Sequence, residues 1–211
     1  MKRLQKDSES TGLPITSIIK WRPAHEGEGE NLLLAGDNAG NITKYDASDG
    51  MVVDQIPWES EEENKIYALD YSSNGRQFAA AGFDKTVRIY DDITMKLVQE
   101  SDPFKSGHGG HNNRVFSVKF SPEDSNILIS GGWDNNIIVH DLREKGPVNA
   151  IIGAHVCGDS LDMDRNNRIL SGSNRKDKQL QLWDLETTKL IQNIDWNGSG
   201  LYKDREGCRI F

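Results

Sequence analysis

Four times along this chain a small-residue strand runs into an Asp-bearing turn, a second apolar strand, and then an aromatic residue or histidine followed by Asp. The units read Leu-Leu-Ala-Gly-Asp-Asn-Ala-Gly-Asn-Ile-Thr-Lys-Tyr-Asp up to Asp46 and Phe-Ala-Ala-Ala-Gly-Phe-Asp-Lys-Thr-Val-Arg-Ile-Tyr-Asp up to Asp91. They continue as Leu-Ile-Ser-Gly-Gly-Trp-Asp-Asn-Asn-Ile-Ile-Val-His-Asp up to Asp141 and Leu-Ser-Gly-Ser-Asn-Arg-Lys-Asp-Lys-Gln-Leu-Gln-Leu-Trp-Asp up to Asp184. Their ends lie 45, 50 and 43 residues apart. Strand-like alternation at such a period calls for one supersecondary unit per repeat, each burying its apolar faces against its neighbours.

Alternation and turn residues divide each unit into four strands. The first unit is expected to place them at residues 15–21, 31–36, 41–45 and 51–56, and the second at 66–71, 77–81, 86–90 and 96–99. The third reads 114–120, 126–131, 136–140 and 148–152, and the fourth 160–163, 168–172, 179–183 and 189–194. In period, strand content and closing Tyr-Asp, His-Asp and Trp-Asp pairs, residues 14–196 resemble the WD-repeat β-propeller family, where each repeat makes one four-stranded blade. The resemblance implies an all-β chain with blades at 14–58, 62–101, 108–153 and 154–196, a polar extension at 1–13, and at 197–211 a tail or the start of a fifth blade. A closed ring in this family takes about seven blades. Four blades are therefore expected to form an incomplete ring that self-associates or is completed by further blades.

Charge narrows the partners. Asp and Glu number 33 against 25 Lys and Arg, a formal net charge of −8, and such a field repels a phosphate backbone or an anionic lipid surface. Other proteins are the expected partners, with no nucleic acid and no membrane. The opening Met-Lys-Arg-Leu-Gln-Lys lacks the apolar stretch of a secretory signal, and no apolar run reaches spanning length. The chain is expected in the cytoplasm or nucleus. Cys157 and Cys208, far apart and without Cys-x-x-Cys spacing, read as ordinary thiols of a reducing compartment.

The resemblance also implies a bracing network: a His ahead of the inner strand, a Ser or Thr on the second strand, an Asp in the turn and a Trp on the third. Buried imidazole and hydroxyl groups each need a partner, and linking them ties the strands together. The full set falls only in the fourth unit, as His155, Ser171, Asp177 and Trp183. The third unit has His111, Ser130 and Asp134, with His140 in the Trp position; the second keeps Asp84, with Glu62 near the His position. Blades one and two are expected to rely more on apolar packing. His111, Ser130 and Asp134 mimic a nucleophile triad but read as buried scaffold, with no Gly-x-Ser-x-Gly elbow. His108-Gly-Gly-His111 offers two metal ligands and no nearby cysteine, and no Gly-x-x-x-x-Gly-Lys-Ser/Thr phosphate cradle occurs. No enzyme activity, cofactor or metal is expected.

Function is suggested by aromatics where turns are normally polar. In propellers resembling the heterotrimeric G-protein β subunit, the residue before the turn Asp and the second residue of the inner strand point to the face around the central channel, where partners dock. Here the first position holds Phe83 and Trp133, and the second Tyr67 and Phe116. Converging aromatics make the kind of patch that marks partner sites, unless the rings pack between blades. Asp159, Arg175 and Lys176 are expected to rim this patch. His140-Asp141-Leu142-Arg143 is similar to the Trp-Asp-x-Arg box by which some propellers dock on a cullin ubiquitin ligase adaptor, making Asp141 and Arg143 candidate contacts. The reading is a non-catalytic scaffold for protein-protein interaction and complex assembly; the alternative is a substrate receptor of a cullin-type ubiquitin ligase.

Overall fold

The computed structural model describes residues 14–23, 31–102, 109–144 and 146–195, which form sixteen β-strands and no helix. The first blade holds β1 (Thr16–Trp21), β2 (Leu32–Asp37), β3 (Ile42–Asp46) and β4 (Met51–Ile56). The second holds β5 (Ile66–Tyr71), β6 (Gln77–Gly82), β7 (Val87–Asp91) and β8 (Leu97–Ser101). The third holds β9 (Val115–Phe120), β10 (Ile127–Gly132), β11 (Asn136–Asp141) and β12 (Pro147–Ile152). The fourth holds β13 (Leu161–Met163), β14 (Arg168–Gly172), β15 (Leu180–Asp184) and β16 (Leu190–Ile194). Each blade is an antiparallel sheet in sequence order, and β1, β5, β9 and β13 are the inner strands through which successive blades meet. All sixteen strands lie within two residues of the ranges expected from alternation. The expected extension at 1–13 and tail at 197–211, with His108 and Cys208, fall outside the described residues.

The Asp that closes each unit has a local task. Asp91 Oδ1 accepts the backbone N–H of Thr94 at 2.8 Å and its hydroxyl at 2.7 Å. Asp184 takes Thr187 in the same way at 2.7 and 2.6 Å, and Asp46 takes Ser48 at 2.8 and 2.6 Å. These side chains fold the outer hairpin of the blade by offering the backbone a local acceptor. The hydrogen bonds hold all three carboxyls below their usual range.

A four-stranded sheet has two faces to cover, and three apolar clusters cover them at three seams. Leu34 and Ile42 of blade one meet Leu69 and Phe78 of blade two; Ala79 and Ile89 meet Val115 and Val118 of blade three; Ile129 and Ile151 meet Leu161 and Ile169 of blade four. The pairing register puts Ile19, Leu69, Val118 and Leu161 at one equivalent inner-strand position, and Trp21, Tyr71, Phe120 and Met163 at another. In blades two to four these six residues pack toward the preceding blade and are at most 5% exposed, whereas Ile19 and Trp21 are each 60% exposed. No apolar cluster of the described residues joins blade four to blade one, although Lys20 reaches Asp159 at 3.1 Å.

The seam between blades one and two carries the expected apolar packing in place of the bracing network, and a buried polar cluster that the expectation did not include. Asp92 is buried on it, held by Lys44 Nζ at 2.6 Å, Arg22 Nε at 3.0 Å and the Tyr71 hydroxyl at 3.0 Å. The two cations come from blade one, or just after its β1, and the carboxylate and phenol from blade two, so the cluster ties one blade to the next.

The bracing network also differs from its expected placement. In blade four Trp183 Nε1 donates to Ser171 Oγ at 2.8 Å, but His155 lies against Asn135 Oδ1 at 2.8 Å and Asp177 is exposed. The two extra residues in the turn after β14 carry Asp177 out to solvent, and His155, without that carboxylate, turns to blade three. The continuous chain occurs in blade three instead: Asp134 Oδ2 to His111 Nδ1 at 2.8 Å, His111 Nε2 to Ser130 Oγ at 2.8 Å, and Ser130 Oγ to His140 Nε2 at 2.8 Å. Burial works to raise the Asp134 pKa, but the hydrogen bond and charge of His111 outweigh it and hold it below the usual range. His140, by contrast, is pushed down to about 3 by burial and secondarily by His111.

Three outcomes follow. Asp92→Ala is expected to strand two buried cations and destabilise the fold by about 3 to 5 kcal/mol, measured by urea unfolding. Because His140 normally titrates near 6.5 and is held neutral in the fold, its contribution is fully present above that pH. It is lost as pH falls toward 3, since the unfolded chain takes up a proton the folded one refuses. Tm should therefore drop on acidification more steeply in the wild type than in His140→Trp or His140→Gln, which keep an N–H donor without titrating; parallel profiles would remove His140 from the pH dependence. The uncovered Ile19 and Trp21 face is expected to make the chain self-associate in light scattering, and Ile19→Glu with Trp21→Glu to reduce it. A monomeric wild type at high concentration would show that the face tolerates water.

Candidate docking face at the inner-strand ends

The face is built by two equivalent bulges. A Cβ placed on Gly82 would lie 1.8 Å from the Lys65 carbonyl oxygen, and one on Gly132 would lie 2.1 Å from that of Arg114. Glycine alone lets the second strand approach the inner one this closely. The next N–H then closes the site: Phe83 N donates to the Lys65 carbonyl at 3.0 Å and Trp133 N to that of Arg114 at 3.2 Å. Each turn aromatic is thus fixed beside a cation that immediately precedes an inner strand.

The four expected aromatics come together across the seam of blades two and three. Phe116 stacks on Tyr67 with centroids 5.0 Å apart and planes 7° from parallel, and meets Trp133 at 4.8 Å with a 35° tilt. Phe83 joins through Arg114, whose guanidinium lies 4.5 Å from the Phe83 ring and 5.8 Å from Trp133. Tyr67, Phe83 and Phe116 are half-buried, and Trp133 is 40% exposed. The rings therefore pack between blades and present an aromatic surface at once.

The expected rim is rearranged. Asp159 accepts the Ser117 hydroxyl at 3.0 Å and pairs with Lys20, drawing it across the inner strands. Arg175 donates from Nη2 to the Gly153 carbonyl at 2.7 Å and from Nε to Ser173 Oγ at 3.2 Å, so it serves the loop; Lys176 is exposed. Deeper in, the register aligns Lys20, Asp70, Lys119 and Asp162 in alternating sign around the inner strands. Burial raises the Asp70 pKa, while its carboxylate accepts the Phe120 N–H at 2.8 Å.

The other candidates are placed as follows. Ser130 and His111 are at most 1% exposed, so that hydroxyl meets no external substrate. Among the described residues no group of three or more His, Cys, Asp or Glu gathers to hold a metal. Arg143 is bound by Asp141 through Nε and Nη2, both at 2.7 Å, and by Asp124 at 3.2 Å, closing its own strand end. Sequence reading passed over Lys65 and Arg114. Their signal was available in the paired segments Lys65-Ile66-Tyr67 and Arg114-Val115-Phe116, a cation two residues ahead of an aromatic at the same point of two repeats.

Comparison with known proteins points the same way. The model of the WD domain, G-beta repeat, matches residues 58–91 and 103–141. The chain is 24% identical to Histone acetyltransferase type B subunit 2 of Candida glabrata over 77% of its own length and 38% of that protein's. It is 30% identical to the LEC14B homolog of Prunus armeniaca over 59% of its length and 26% of that protein's. With Cell division cycle 20.1, cofactor of APC complex, of Arabidopsis thaliana, the identity is 24% over 85% and 36% of the two chains. The chain thus spans less than two-fifths of the length of these relatives. The matched stretches are WD repeats, and the four like-ordered four-stranded sheets are the blades of an incomplete β-propeller.

Proposed function

We propose that this chain is a non-catalytic scaffold that assembles protein complexes by docking partners on the face around the inner strands, with Tyr67, Phe83, Phe116 and Trp133 as the contact residues. The observation that carries the reading is the unbroken ring stack from Tyr67 through Phe116 to Trp133, exposed at its Trp133 end. Rigid aromatic rings give up little rotamer freedom on contact while burying large apolar areas, which is why they dominate interface energetics. Phe116 is wedged between two rings and holds Trp133 in place; Trp133 supplies the contact area. The relatives support the reading through names that describe them as a subunit of an acetyltransferase and a cofactor of a complex. The ligase-receptor alternative has no observation of its own, because Arg143 is already held by two carboxylates of its own blade.

For a partner captured from the native cell, Trp133→Ala is expected to weaken binding by about 2 kcal/mol while leaving far-UV circular dichroism and Tm nearly unchanged. Phe78→Ala is the contrasting control, since Phe78 is fully buried and its truncation should cost about 3 to 5 kcal/mol of stability. A Trp133→Ala protein that melts as early as Phe78→Ala, yet still captures every partner, would place docking elsewhere.

A further inference from the structure

Arg114 stands out from most arginines of the described chain. Arg22, Arg88, Arg143, Arg165 and Arg168 each hold a carboxylate. The half-buried Arg114 guanidinium is flanked by Phe83 and Trp133, and among the described residues no carboxylate or hydrogen-bond acceptor lies within bonding distance of it. Glu63, the carboxylate nearby in sequence to Lys65, is taken by that lysine at 2.8 Å.

Blade two shows how such a cation is completed. Arg88 lies 5.0 Å from the Trp58 ring and is also bonded by Asp84 at 2.6 Å. A planar guanidinium stacks through its faces and donates through its edge, so ring contact and carboxylate binding are compatible. At Arg114 the ring contacts are present and the edge donors are unmatched. The next cation, Lys65, lies 6.0 Å from the Phe83 ring and is paired with Glu63, whose charge Arg114 also feels without touching it.

We infer that the docking face takes an acidic segment of a partner protein, with an Asp or Glu carboxylate of that segment bound to Arg114 between Phe83 and Trp133 and a neighbouring apolar side chain laid on Trp133. The inference rests on the docking-face reading above and names the partner's chemistry at that face. Charge complementarity supports it locally: against a net charge of −8 that opposes anions at long range, a half-buried guanidinium between two rings and without a contacting carboxylate favours an anionic contact at that one place. A partner carboxylate would gain two charge-assisted donors held in a fixed geometry by the rings.

The test is selection of short random peptides displayed on phage against the full chain and against Arg114→Gln, Arg114→Lys and Trp133→Ala, each first checked for wild-type circular dichroism. Peptides selected on the wild type should be enriched in Asp or Glu beside a large apolar residue. A synthetic representative should bind Arg114→Gln about tenfold more weakly, retain part of its affinity for Arg114→Lys, and weaken with added salt. Selected peptides without acidic enrichment, or acidic peptides that bind Arg114→Gln as tightly as the wild type, overturn the acidic-segment inference. The docking face itself survives that result if Trp133→Ala still abolishes their capture. Peptides that bind Trp133→Ala unchanged remove the docking face, and a selection that enriches nothing on the wild type overturns the inference.

Discussion

A blade of four strands has two apolar faces and no core of its own, so every other feature of this chain depends on one sheet being pressed against the next. Along an inner strand, alternate residues face the preceding blade or turn to the other side, where they meet the inner strand of a neighbouring blade. The first set is the apolar series Leu69, Val118 and Leu161; the second is the charged series Lys20, Asp70, Lys119 and Asp162. Residues at the strand ends belong to neither set. There Tyr67 and Phe116 stack across the seam at its edge, which is why a packing constraint and a candidate binding surface share the same side chains.

Burying polar groups at those seams requires that each find a partner, and the chain reaches this in different ways in different blades. Trp183 in blade four and His140 in blade three stand at the same position on the third strand, and both give a ring nitrogen to a serine hydroxyl at 2.8 Å. With the N–H on Nε2, His140 donates to Ser130, Ser130 to His111 and His111 to Asp134, a run of donors pointing one way. The exchange has a cost. His140 Nδ1 is a buried polar atom with no hydrogen-bond partner, whereas indole has no second nitrogen. Blade two dispenses with the chain, placing Ala80 where Ser130 stands and joining Asp84 to Arg88 on Trp58.

The strands were legible because alternation and turn residues act locally, and the docking aromatics because the repeat register carries a position from one blade to another. The buried Asp92 was not legible. Its partners Arg22 and Lys44 lie 70 and 48 residues away, and nothing in their own segments marks them as buried. His155 was misplaced for a related reason: matching a motif fixes residue types, while the lengthened turn decided where Asp177 could reach. Lys65 and Arg114 passed unnoticed because basic residues before a strand usually read as solvated. Only the close approach allowed at Gly82 and Gly132 turns them toward rings.

The two stacked arginines show how one scaffold separates stability from recognition. Arg88 sits on β7, within a blade, where Asp84 is four residues away and always available, so its charge is satisfied on folding. Arg114 precedes an inner strand, and its equivalent lysine in blade two has recruited Glu63 from its own loop. The corresponding stretch ahead of Arg114 is His111-Asn112-Asn113, in which His111 is committed to the blade's interior and both asparagines are neutral. Blade three thus has no acidic residue at the place where blade two has one. Because the two blades share their strand order and register here, that local difference, and not a change of fold, leaves Arg114 without a carboxylate partner among the described residues on the aromatic face.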